Sequence, residues 1–231
     1  MSQFNRHRDM IELVARALGP EMMDSMAFVG GCTTGLLMTD PYTRETVRYT
    51  DDVDVIVSVL GYSQWHLLSE QLQARGFRIA MNEAVNCRFR LGALQVDFMP
   101  DNAEVLGFSN RWYSEALNAA QAQMLSSSIR IRLVTPPYFL ATKLEAFKGR
   151  GNNDLLESHD AEDIFNLVDG RAELATELPM APEELRQYLA EEFGKLLKHP
   201  DTPYVVQSTA RGDSDRENLI FERLEAISGL R

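Results

Sequence analysis

Two carboxylates one residue apart, Asp52 and Asp54 in Thr50-Asp-Asp-Val-Asp-Val-Ile-Val57, are the residues best placed to do chemistry. The run reads as a β-strand. Side chains alternate faces along a strand, so Asp52 and Asp54 project one way and Val53 and Val55 the other. Like charges side by side on one face repel, and the usual compensation is a hard divalent cation such as Mg²⁺, which prefers oxygen ligands. Ahead of them, Phe28-Val-Gly-Gly-Cys-Thr-Thr-Gly35 reads as a strand, a turn at Gly30-Gly31 and the start of a helix. Backbone N–H groups at a helix start suit phosphate. Further along, Leu94-Gln-Val-Asp-Phe-Met99 holds Asp97, a lone carboxylate between apolar neighbours. A phosphate cradle beside Mg²⁺-type carboxylates points to nucleotide chemistry.

Several elements must position these groups. Residues 6–18 have helical spacing, with Met10, Ile11, Val14 and Leu18 on one stripe, and Gly19-Pro20 ends them. Strands are expected at 26–29 and 53–59, with a polar loop over 38–50. A helix is expected over 63–75 with Trp65, Leu68 and Leu72 inward, and Gly76 as its stop. Strands at 77–81, 86–91 and 94–99 follow, the last two joined at Leu91-Gly92-Ala93. Then come a loop over 101–111, a short helix over 112–121 and, from 122–125 with 129–134, a strand or hairpin. From Pro136 the pattern turns helical: 136–148, 159–168, 182–197 and 214–228, with 149–153 read as a flexible link and 199–211 as loop.

Composition narrows the class. The chain has 231 residues, 45% hydrophobic and 25% charged, ordinary for a globular protein. No apolar run reaches the roughly 18 residues of a membrane span, so no membrane partner is expected. The first residues show no apolar signal-peptide core, and Cys32 and Cys87 make neither a disulfide framework nor a zinc motif, so the expected setting is cytoplasmic. Cys32 reads as a small core residue. A net charge of −11 argues against broad attraction to nucleic acid.

The glycine pair Gly30-Gly31, the carboxylates Asp52 and Asp54, and the later Asp97 together resemble the DNA polymerase β-like nucleotidyltransferase superfamily. The double glycine is similar to that of its AbiEii/AbiGii toxin group, as is Lys143-Leu-Glu-Ala-Phe-Lys-Gly-Arg150 followed by His159-Asp160-Ala-Glu-Asp163-Ile. The resemblance reaches to about residue 170. It implies an α+β fold in which a nucleotidyltransferase-type mixed sheet flanked by helices precedes a helical C-terminal region. The corresponding division is an α/β core over 1–134 and a helical region over 135–231 that completes the active-site cleft. It implies two Mg²⁺ ions held by Asp52, Asp54 and Asp97 with an NTP as substrate, and Lys143 as a triphosphate contact. Gly30, Gly31, Thr33, Thr34, Lys143 and Arg150 form the expected nucleotide-binding set, with Thr33 and Thr34 equally readable as helix caps. The chain departs from the superfamily in the stretch Thr39–Thr50, which lengthens the gap from Gly31 to Asp52 to about twenty residues.

Other groups have plainer readings. Asp160 and Asp163 open a helix, where capping or ion pairs to Lys143 or Arg150 are favoured over metal binding. The four histidines lack metal-ligand spacing, and His159, beside Asp160, is the one of interest. Arg88 and Arg90, like Arg130 and Arg132, share a strand face. They either bind an acidic substrate such as an RNA end or neutralise an acidic chain.

The expected function is therefore transfer of a nucleoside monophosphate from an NTP to an acceptor hydroxyl. The resemblance implies a toxin-like or phage-defence role, the tRNA 3′ end as acceptor, and a cognate antitoxin as partner. The alternatives are a small-molecule or protein nucleotidyltransferase, or a non-catalytic nucleotide- or partner-binding module of a toxin–antitoxin pair.

Overall fold

The computed structural model describes residues 2–79, 87–107 and 109–230. It is an α+β protein that divides into two compact units, residues 1–33 with 49–135, and residues 34–48 with 136–231.

The first unit is built on a seven-stranded mixed sheet. Its strands are β1 (Met26–Val29), β2 (Asp52–Val57), β3 (Phe77–Ile79), β4 (Arg88–Leu91), β5 (Leu94–Pro100), β6 (Gln121–Ser126) and β7 (Ile129–Leu133), in the order β3-β4-β5-β2-β1-β7-β6. β2 runs parallel to β5 and antiparallel to β1, so Asp54 lies opposite Asp97 on one side and Val29 on the other. β4 and β5 form a tight hairpin that sets Arg88 opposite Asp97. Alternation then separates two faces. Val53, Val55, Val96 and Phe98 are buried on one. On that side Phe98 meets Phe77 and Phe89 edge-to-face, with centroids 5.3 and 5.4 Å apart. The carboxylates of Asp52, Asp54 and Asp97 are left to the other.

The second unit is helical. Its longer helices are Pro136–Arg150, His159–Gly170, Glu183–Lys198, Thr202–Ala210 and Ser214–Ser228. Pro136–Arg150 and His159–Gly170 are buried nearly all round, whereas Glu183–Lys198 buries a stripe at helical spacing through Leu185, Leu189, Phe193 and Leu196. Ser158 caps one helix by accepting from the Ala161 N–H, and Asp213 caps another through the Asp215 and Arg216 N–H groups.

Residues 34–48, between two sheet strands in sequence, pack with these helices. Asp40 caps the short helix Pro41–Arg44 and takes Arg216 at 2.6 Å, and Arg216 also holds Asp169 at 2.6 Å. Thr39 donates to Glu173 at 2.6 Å and Thr43 to Asp169 at 3.1 Å. The polar composition that reads as loop is therefore a set of anchors.

Three other expectations need correction. Gly19 adopts φ +71° and kinks the first helix, but Pro20 starts a further turn and the helix Gln3–Met23 continues. The helix from Pro136 runs through Gly149 to Arg150, where a link was expected, because Arg150 is tied to Asp160. Residues 202–210 are helical, with Val205, Val206 and Ala210 buried, an apolar spacing hidden among Thr, Ser and Gln. β3 ends at Ile79 among the described residues, and the expected strand residues 80, 81 and 86 lie outside them. No described helix is long and apolar enough to cross a membrane.

Candidate functional site

β2 and β5 bring the three predicted aspartates together. One carboxylate oxygen from each of Asp52, Asp54 and Asp97 lies within 4.8 Å of the others. Asp52 and Asp54 are half-buried and Asp97 is buried. An all-oxygen set of this span suits a hard divalent cation after small side-chain adjustments. The cluster could therefore hold a metal ion.

Its neighbours shape it. Thr50 donates its hydroxyl to Asp52 Oδ1. Gly30 follows β1 with φ +82°, and a Cβ built there would lie 1.8 Å from Asp54 Oδ2. The glycine thus makes room for a carboxylate. Arg88 grips Asp97 with both arms of its guanidinium, Nε to Oδ1 at 2.9 Å and Nη2 to Oδ2 at 2.8 Å. The negative field reaches Cys87, whose thiol is pushed up to about 12 by burial and by Asp97 and Asp54. That thiol is buried against Met99, at 3.6 Å from its sulfur, and is inert as a nucleophile.

The threonines after the glycine bend are occupied. Thr33 donates its hydroxyl to the Gly30 carbonyl at 2.8 Å. Thr34 donates to Asp163 Oδ1 at 3.2 Å within the helical unit. Both are buried, so their hydroxyl protons are committed inside the fold.

Within the helical unit, Lys143 lies 3.0 Å from Asp160 and 2.7 Å from Asp163, with only 6% of its side chain exposed. Arg48 adds Nη2–Oδ2 at 3.0 Å on Asp163, and Arg150 adds Nε–Oδ2 at 2.8 Å on Asp160. Burial pushes Asp160 up, but Lys143 and Arg150 outweigh it and hold the carboxyl at about 2. Asp163 is likewise lowered, by Lys143 and Arg48 against burial. Burial disfavours the Lys143 ammonium, yet the two carboxylates raise its pKa above the ordinary value. A phosphate reaching Lys143 would have to displace an aspartate. Arg150 differs, because 73% of its side chain is exposed while one edge holds Asp160.

The strand arginines make internal contacts. Arg90 donates to the Ala93 carbonyl at 3.4 Å, Arg130 pairs with Asp24 at 3.2 Å, and Arg132 donates to the Leu117 carbonyl at 2.6 Å. His159 is exposed beside Glu162, 3.6 Å away. The sequence reading missed Arg48, Thr50 and the Arg88 pairing with Asp97.

No protein-family model matches this chain, and no curated protein matches it.

Proposed function

We propose that the protein is a divalent-cation-dependent nucleotidyltransferase that moves a nucleoside monophosphate from an NTP to an acceptor hydroxyl and releases pyrophosphate. The observation that carries the reading is the convergence of Asp52, Asp54 and Asp97 within 4.8 Å beside the Gly30 bend. When bound, Mg²⁺ would offset charge on the attacking and leaving oxygens. Asp52, Asp54 and Asp97 would be the residues that hold the ion, Asp52 and Asp54 on the triphosphate side and Asp97 as the third ligand. The acceptor oxygen bonds to the α-phosphorus as the bond to the bridging oxygen breaks, and the hydroxyl proton leaves toward the Asp97 carboxylate. Gly30 leaves the room that the Asp54 carboxylate occupies.

The acceptor in this reading is the tRNA 3′-terminal hydroxyl, in a toxin-like role held in check by an antitoxin. That choice comes from the resemblance at Gly30-Gly31, Lys143–Arg150 and His159–Ile164. The test is incubation with Mg²⁺, each α-labelled NTP, and separately total RNA, protein or small molecules. Label should enter RNA with wild type and not with Asp52→Asn. Label in protein or small molecules would change the acceptor, and label in nothing would reject the enzyme. One observation favours a binding-only module, the capture of Asp97 by Arg88. Tight NTP·Mg²⁺ binding by calorimetry with no label transfer would support that second reading.

A further inference from the structure

Arg88 brings a fixed positive charge into the acidic cluster. It sits across the β4–β5 ladder from Asp97 and takes both carboxylate oxygens. The pair is poorly exposed, at 23% for Arg88 and 8% for Asp97, so solvent screens it weakly. Three carboxylates and this one guanidinium leave a formal charge of minus two. One divalent cation neutralises that charge. A second would leave the site at plus two, with Arg88 repelling both ions.

Resting on the reading of Asp52, Asp54 and Asp97 as cation ligands, we infer that Arg88 takes the place of a second cation in the free protein, which therefore holds one divalent ion. Arg88 is here a positioning residue, acting through Asp97. Two effects compete when it is removed: Asp97 loses its guide, and the cluster gains a negative charge. The second wins, because β5 is held by ladders to β2 and to β4 on its two sides, so the Asp97 backbone stays fixed. Only its side-chain torsions are freed.

The experiment is Mn²⁺ titration of the full chain without nucleotide, followed by the loss of the free-Mn²⁺ paramagnetic resonance signal and by calorimetry. Wild type should bind one ion per chain. Arg88→Gln should bind a second ion, or bind the first about tenfold more tightly, the effect of a unit charge on a divalent ion a few ångströms away. Arg88→Lys keeps the charge and should remain a one-ion protein. Circular dichroism melts run alongside establish that each variant is folded, and if Arg88→Gln fails to fold, Arg88→Ala, which also removes the charge, takes its place in every comparison. Two ions on wild type, or Arg88→Lys behaving as Arg88→Gln, overturns the inference. So does Arg88→Gln matching wild type while Asp52→Asn loses binding, which leaves the metal site standing. Absence of Mn²⁺ binding throughout would remove the metal-site reading together with it.

Discussion

Gly30 and Asp54 occupy each other's space: a Cβ on Gly30 would sit 1.8 Å from Asp54 Oδ2 and 2.7 Å from its Cγ. The register explains why. Val29 lies opposite Asp54 across the β1–β2 ladder, so the next residue, turning away at φ +82°, passes over that side chain. The glycine and the carboxylate form one device.

Gly30→Ala should therefore cost more function than fold. Positive φ strains an alanine by about 1–2 kcal/mol, and the methyl must expel Asp54. The expected outcome is a folded protein by circular dichroism with a lowered melting temperature and no Mn²⁺-induced stabilisation. An alanine variant that binds Mn²⁺ like wild type would show that Asp54 is not a ligand.

Asp54→Asn should do the reverse to stability. Removing one of three like charges relieves repulsion in the metal-free cluster, so the melting temperature without metal should equal or exceed wild type. Adding millimolar Mg²⁺ should raise the wild-type melting temperature and leave the variant unmoved. Thermal melts in EDTA and in Mg²⁺ read both effects.

Lys143→Met should destabilise by about 3 kcal/mol, because it strands Asp160 and Asp163 in a buried setting with reduced compensation. Urea unfolding at neutral pH measures this. A change below about 1 kcal/mol would mean that Arg48 and Arg150 satisfy the two carboxylates alone.

Acid should act on the same cluster. Asp160 has its carboxyl lowered from the usual 3.8 to about 2, since Lys143 and Arg150 overcome the opposing effect of burial. The folded form thus gives up this proton more readily than the unfolded chain. Its contribution is complete above about pH 4 and is lost as pH falls from 3.8 through 2. The stability gap between wild type and Asp160→Asn, measured in urea, should be constant from pH 7 to 5 and shrink below pH 4. A gap that does not narrow would place the stabilisation elsewhere.

The aspartate cluster was legible because strand alternation alone puts Asp52 and Asp54 on one face, and an apolar run around Asp97 marks a second strand. The Arg88–Asp97 pair was also within reach. A two-residue turn at Gly92-Ala93 pairs Leu91 with Leu94, and counting back along the hairpin sets Arg88 against Asp97. The anchors in residues 39–48 were not legible, because their partners lie far along the chain: Asp40 meets Arg216, and Arg48 meets Asp163. Local pattern reports what a residue is, and these side chains declare their roles only through long-range ion pairs. Thr33 and Thr34 show the same limit, since capping, phosphate contact and a distant carboxylate all call for the same hydroxyl.

The passage of residues 34–48 into the helical unit makes the protein a poor subject for dissection. A single cut after Thr135 would release a fragment that still carries Asp40, Thr43 and Arg48 but has lost Arg216, Asp169 and Asp163. On the ribosome the order is equally unforgiving. The Asp40 carboxylate emerges early and its guanidinium partner follows 176 positions later, so this ion pair can close only when nearly the whole chain has been made.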